Sequence, residues 1–367
     1  MPDRKTLKDR VLQSDYMHFA KMKTGARYNL ATSGVADCRL ADIGANLDAL
    51  ELHGPNPYGY PALDEAIAAR FGVPAACVVT AAGASFSNHQ AMAALVAPGD
   101  EVLIEDPAYE LMVSALGYLQ ADIKRLPRRL SEGYALDPAA VAAHLTPKTR
   151  LVVLTNMHNP SSRLETDETL LAIARAADAV GALVLVDEIY RELTFEGDKA
   201  ATLFHPDGNV VVTSGLTKAY GLSGLRCGWI LAPAPLAERM RRLDDLYSAR
   251  GPFITQQLSL VALGRLPVLR QRAFDLINPN RAAYKEILGD HPALEQVVFD
   301  HGTTIFPRLR QGDGEALLHR LQTRFETGVV PGAFFGAPQH FRVGLAGDVA
   351  MTREGLLRLA EALKTPL

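Results

Sequence analysis

The sequence predicts an α/β fold: a large domain with a mainly parallel sheet flanked by helices, joined to a smaller α+β domain. Three observations point there. Between residues 77 and 231, short apolar, β-branched runs alternate with helix-like stretches. The runs are continuous rather than alternating, which marks strands buried on both faces, as in a parallel sheet. After Leu266 the texture changes to a basic helical stretch followed by scattered short strands.

The strands are expected at residues 77–79, 101–104, 151–154, 183–186 and 210–212. Asp137-Pro138 opens one intervening helix, an N-cap followed by proline at the first helical position. Thr166 or Asp167 opens another, rich in alanine and leucine, which Gly181 closes. Residues 86–95 read as a helix after a Gly83-Ala84-Ser85 turn. Such alternation of strand and helix implies a layered α/β unit. In the second unit a helix is expected over 268–288, strands at 297–299, 303–307 and 341–345, and a last helix over 352–363. The domains divide as 45–265 for the large one, and 1–44 with 266–367 for the small one and its N-terminal arm.

Composition narrows the function. The chain has 367 residues, 48% of them hydrophobic, with a net charge of -3, so no basic surface argues for nucleic acid. Cys38, Cys77 and Cys227 are widely separated. They have neither metal spacing nor a disulfide pattern, which fits a reducing cytoplasm. The N-terminus mixes acids and bases without an apolar core, and no run approaches the roughly 18 apolar residues of a membrane span. A soluble, cytoplasmic protein without a metal site is expected.

The chemistry-bearing residues stand at strand ends. Lys218 lies just past the 210–212 run in TSGLTKAYGLSGLRCGW, and Arg226 follows eight residues later among four glycines. Alone, such a lysine is a surface charge; a cation beside it can lower its pKa and make it nucleophilic. Asp187 ends the 183–186 strand, at the edge where open α/β sheets bind ligands. Alone, it would be a helix cap. Tyr190 is one turn beyond it. The Gly83-Ala84-Ser85 turn offers a phosphate free N–H groups at a helix start and the Ser85 hydroxyl. Neither common glycine-rich phosphate loop occurs. Tyr109, after the 101–104 strand, can stack on a flat ring. Asn159, in HNP after the 151–154 strand, can donate to a ring hydroxylate, and His158 beside it reads as a turn residue. Arg342 alternates with Phe341, Val343 and Leu345, so it points to the opposite face of its strand. An arginine there can grip a carboxylate as a fork. Amine, carboxylate and phosphate cradle together are what pyridoxal phosphate requires.

The motifs GAS, EDPAY, HNP, DEIY, SGLTKAYGLSGLRCGW and FRVGLA, in that order, resemble the class I/II aminotransferases, the fold-type I pyridoxal-phosphate enzymes. The resemblance implies an aminotransferase that moves an amino group between an amino acid and a 2-oxo acid through an aldimine at Lys218, which also shuttles the proton. It implies that Asp187 pairs the pyridine nitrogen, Asn159 and Tyr190 bind the ring oxygen, and Tyr109 stacks on the ring. Ala84, Ser85 and Arg226 would hold the phosphate and Arg342 the substrate α-carboxylate. It also implies a homodimer with shared sites, in which Tyr58, or else Tyr60, reaches the partner's phosphate. Three departures stand out. Gly215 replaces a common serine, leaving a phosphate contact missing or moved to Ser214. Ser161-Ser162 follows HNP where Thr-Gly or Ser-Gly is common, and the NPYGYPALDEAI segment is compact. Decarboxylation or carbon–sulfur elimination on the same scaffold is the alternative. Tyr109, rather than histidine, argues against an acyl-transferring relative. A DNA-binding regulator lacks support because no helix-turn-helix precedes Ala45.

Overall fold

The computed structural model describes residues 11–22, 25–194 and 200–364. The first ten residues, with part of the mixed-charge N-terminus read above, lie outside them.

Seven strands form the central sheet: β1 Val78–Ala82, β2 Glu101–Asp106, β3 Asp122–Pro127, β4 Thr149–Thr155, β5 Leu183–Asp187, β6 Val210–Gly215 and β7 Cys227–Leu231. Their spatial order is β1-β7-β6-β5-β4-β2-β3. Strand β7 runs antiparallel to both neighbours, and all other pairs are parallel. The five expected strands are all present. Two more appear. β3 is an edge strand whose charged, partly exposed residues and final proline hid it, because edges carry such residues to discourage further pairing. β7 (CGWIL) is fully buried between β1 and β6.

The chain adds β3 on one side of β2, then returns to the other side with β4 and continues to β5 and β6. That reversal opens a crevice beyond the carboxyl ends of β2 and β4, the place where open α/β sheets take ligands. Tyr109, Asn159, Asp187 and Lys218 all follow or end strands on this edge.

Two apolar clusters sandwich the sheet. One face carries Leu103, Val152, Val184, Val186, Val212 and Trp229. The other carries Val102, Ile104, Val153, Leu185, Val211 and Ile230. Burial of both faces is the physical reason these strands lack polar alternation. A third cluster gathers Leu30, Tyr284, Leu288, Phe341, Val343 and Leu356 around the C-terminal strands and helices. The helix Leu266–Leu288 joins the units: Leu266, Leu269, Ala273 and Ile277 pack on the large core, Ala283, Tyr284 and Leu288 on the small one. A fourth cluster seats α1, Asp15–Met22, through Tyr16 and Phe19 against Phe306 and Phe335.

One expected element is corrected. Residues 297–299 form no strand; that part of the fold pairs Leu294–Glu295 with Arg308–Leu309. Val298 is satisfied by packing on the small core and Phe299 by stacking on His301, rings 5.4 Å apart, so the apolar run needs no neighbouring strand. The other small strands are shorter than expected, at Thr304–Ile305 and Phe341–Gly344. The last helices start earlier, at Leu266 and Val349.

Candidate active site

Asp187 ends β5 with 3% of its surface exposed. Its Oδ2 accepts from Asn88 Nδ2 at 2.7 Å and its Oδ1 from the Ile189 N–H at 3.0 Å. Asn88 in turn accepts from the Thr213 hydroxyl, so two side chains fix the carboxylate. Burial pushes Asp187 up to about 6, against the opposing pull of Asn88, the Ile189 N–H and the charge of Lys218. A carboxylate so placed gains from a cationic ligand. It also accepts from its own loop, as the capping reading expected, but through residues that leave it buried.

Lys218 is the second residue of the short helix Thr217–Tyr220 after β6. Its Nζ donates to Ser33 Oγ at 3.1 Å, and Tyr190 Oη donates to the same oxygen at 3.0 Å. Lys218, Tyr190 and Asp187 therefore come together as the sequence placed them.

The phosphate turn is built by close backbone packing. Helix Ala84–Leu95 starts two residues before the expected position, with Gly83 as its N-cap at φ +88°. Only glycine adopts that conformation without strain. A side chain at Gly83 would also strike the Arg226 guanidinium, which donates to Ala82 O at 3.1 Å. A Cβ at Gly228 on β7 would collide with the Gly83 carbonyl carbon and the Ala84 nitrogen. The Phe86 and Ser87 N–H groups are taken up by the Gly83 carbonyl, and the first N–H groups of a helix, here those of Ala84 and Ser85, have no partner within it. Gly215, the departure noted above, has a steric cause: its Cβ would sit 2.6 Å from Cys227 O and 3.1 Å from Gly228 Cα. Ser214 beside it is buried, its hydroxyl donating to Glu188 O at 3.4 Å.

Arg342 is fully buried. Its Nη1 donates to Asn159 Oδ1 at 3.0 Å, and its Nη2 to Tyr16 Oη at 2.8 Å and Ala31 O at 3.0 Å. It lies over the rings of Tyr16 and Phe335, 5.5 and 5.2 Å from their centroids. Among the described residues no carboxylate pairs with it, and its Nε has no partner. A buried guanidinium without a counter-ion is costly. The site is short of an anion. Burial pushes the Tyr16 phenol up, but Arg342 and Lys218 outweigh it and hold it below its ordinary value.

Tyr109 meets Tyr16 edge-on at 5.5 Å, and its hydroxyl contacts Met17 Sδ at 3.3 Å and Ser85. His158 is more than a turn residue. Its Nε2 lies 2.8 Å from Pro107 O and its Nδ1 2.7 Å from Ser161 Oγ. The carbonyl requires Nε2 to donate, so Nδ1 accepts from the serine. Burial holds this imidazole well below its ordinary value, hence neutral. It ties the Asn159 loop to the loop before Tyr109. Ser162, the other departure, donates to Thr304 O at 2.8 Å and anchors the same loop to the small core.

A model of the family described as aminotransferase class I and II matches residues 40–363. This chain belongs to the class I and II aminotransferases. An arginine–pyruvate transaminase of Pseudomonas aeruginosa is 28% identical over 363 residues, covering 94% of this chain and 92% of that protein. A capreomycidine synthase of Streptomyces vinaceus is 28% identical over 352 residues, covering 93% and 90%. In fold, the chain is similar to a pyridoxal-phosphate-dependent aminotransferase from Streptococcus suis, with a TM-score of 0.87 at 21% identity over 98% of both chains. The fold is therefore fold-type I, the activity amino-group transfer on small amino-acid and 2-oxo-acid substrates, and the cofactor pyridoxal phosphate.

The side chains of this aminotransferase fit that cofactor: a buried acid for a ring nitrogen, an amine, a glycine-lined turn beside a guanidinium for phosphate, and an unpaired arginine for a carboxylate. Tyr60 packs edge-on against Phe253 at 5.0 Å, whereas Tyr58 is exposed, its hydroxyl 3.3 Å from Asp245. Sequence reasoning missed Ser33, Asn88, Thr213 and Tyr16. Asn88 alone left a signal, a polar residue on the buried side of an apolar helix beside Ser87 and Gln90.

Proposed function

We propose that Lys218 is the residue to which the cofactor attaches and the base that carries the substrate proton. The observation that carries this is the placement of its amine within electrostatic reach of a buried acid, Asp187, and of Tyr16, the phenol that the anion-lacking Arg342 holds. Pyridoxal phosphate, when bound, supplies the electron sink that accepts the pair left at the substrate α-carbon. The protein's own groups do the rest. Asp187 keeps a ring nitrogen protonated through its charge. Asn159 and Tyr190 donate to the ring oxygen, and Tyr109 covers a ring face. Ala84, Ser85 and Arg226 hold the phosphate, with Ser214 beside them. Arg342, with Asn159 at its Nη1, orients a substrate through its α-carboxylate. The donor is thus an α-amino acid with a free carboxylate, and the acceptor a 2-oxo acid.

We further propose a homodimer in the cytoplasm, with 45–265 as the larger unit, 1–44 and 266–367 as the smaller, and Tyr58 serving the partner's phosphate. Among the described residues no helix is long and apolar enough to cross a membrane. Borohydride reduction followed by peptide mapping tests the central assignment. The label is expected on Lys218; a label on another lysine, or none, overturns it.

A further inference from the structure

Ser33 has no assigned part in the reaction, yet its hydroxyl is the hydrogen-bond acceptor for the Lys218 amine, at 3.1 Å, and for the Tyr190 hydroxyl, at 3.0 Å. The residue is 3% exposed. Its backbone is held independently of that hydroxyl: Ser33 O accepts from Thr303 Oγ1 at 2.7 Å, and two residues on the Val35 N–H donates to Lys218 O at 2.9 Å. Segment 33–35 thus runs alongside the lysine and keeps its course whatever the side chain at 33.

We propose that Ser33 is a positioning residue for the reaction, the dock that holds the free Lys218 amine ready for covalent engagement. The inference rests on Lys218 as the attachment residue. A lysine side chain has four rotatable bonds, and a free amine samples many positions of which few are productive. In each catalytic cycle the amine is released and must return to one carbon. A single buried acceptor shared with Tyr190 restricts it to one place, next to a second ring-oxygen ligand. When it re-engages during turnover, the neutral amine's lone pair forms the new carbon–nitrogen double bond as the bond to the product's nitrogen breaks, and the product leaves as a free amine carrying the two lysine protons. When free cofactor is captured, the aldehyde oxygen leaves as water with those two protons instead. Ser33 takes no part in that exchange; it sets where the amine waits.

The test separates capture from binding in the full-length chain stripped of cofactor. Covalent capture of pyridoxal phosphate at saturation is followed by absorbance. Affinity for pyridoxamine phosphate, which forms no covalent bond, is measured in parallel. For Ser33→Ala the capture rate is expected to fall about tenfold, the weight of one hydrogen bond. Affinity for the amine form should stay within twofold. Ser33→Thr, which keeps the hydroxyl, should recover most of the rate. Capture by Ser33→Ala within twofold of wild type overturns the proposal. So does an equal loss of affinity for both cofactor forms, which marks a merely structural serine, or a Ser33→Thr no faster than Ser33→Ala. Lys218→Ala is the separate control: covalent capture that survives in it overturns the attachment assignment itself.

Discussion

Asp187 answers to two opposed demands. Its folded-state value, about 6, lies above the ordinary 3.8, so burial favours the protonated form. The stability it contributes is fully present below about pH 3.8 and lost as pH rises through 6; at pH 7.5 the buried charge costs about 3 kcal/mol. Asp187→Asn should therefore flatten the pH dependence of cofactor-free stability between pH 4 and 6, and stabilise that protein at pH 7.5 by up to about 3 kcal/mol. Urea unfolding of both proteins at three pH values checks this; parallel curves would contradict it. With cofactor bound the same charge is needed, and Asp187→Ala should slow α-proton removal about a hundredfold in single turnover while leaving the covalent link intact. Gly228 is a second case. Gly228→Ala pushes a methyl into the Gly83–Ala84 backbone, so about 1–3 kcal/mol of destabilisation and a weaker hold on cofactor are expected. Unchanged unfolding and cofactor affinity would show that the turn yields. Lys218, Asp187, Asn159 and Arg342 stood out as candidates because each ends, interrupts or closely follows a recognisable apolar run. Ser33 and Tyr16 did not, because their contacts join residues 185 and 326 positions apart, and Asn88, though polar on a buried helix face, gave no hint of the partner 99 positions away.

Helix α1 and the β2 end show the element scale. α1 carries Tyr16 to Arg342, and the Ser14 hydroxyl just before it donates to Glu110, beside Tyr109. Tyr16→Phe removes one Arg342 partner without removing the ring. Binding of amino acid and 2-oxo acid should weaken several-fold together, with cofactor affinity unchanged; steady-state KM values for both substrates would show it. Just past β3, Arg128 is buried between Glu105 of β2, at 2.7 Å, and Glu165, at 2.6 Å. Glu165→Ala leaves that arginine half-paired in the interior and is expected to cost about 3–5 kcal/mol, measured by denaturant unfolding. The sequence pattern found five of the six strands that are buried on both faces, and passed over β7, whose residues directly follow the glycine-rich Lys218–Arg226 segment. It also overlooked β3, an edge strand carrying Asp122, Lys124 and Arg125, and misread residues 297–299, whose apolar side chains pack without a ladder. Pairing depends on neighbours that local pattern does not contain.

For the whole molecule, the helix Leu266–Leu288 is continuous between the two cores, so the Arg342 strand is held relative to Lys218 by packing at both ends. The proposed dimer makes a separate claim. Tyr58 and Arg226 of one chain line the same cavity of about 360 Å³, so Tyr58 could serve its own site or a partner's. Mixing Tyr58→Ala with Lys218→Ala subunits decides between them. If Tyr58 crosses the interface, random pairing restores about a quarter of the wild-type sites; no recovery places Tyr58 in its own subunit's site. The central claim, reversible amino-group transfer at Lys218 with the substrate held by Arg342, has a more direct test. The cofactor-loaded protein is mixed with an amino donor found by screening, and no acceptor. The cofactor should pass wholly to its amine form with one equivalent of 2-oxo acid released per site, stop there, and return to the aldehyde form on addition of a 2-oxo acid; continuous release of carbon dioxide, ammonia or thiol without any acceptor would contradict the account.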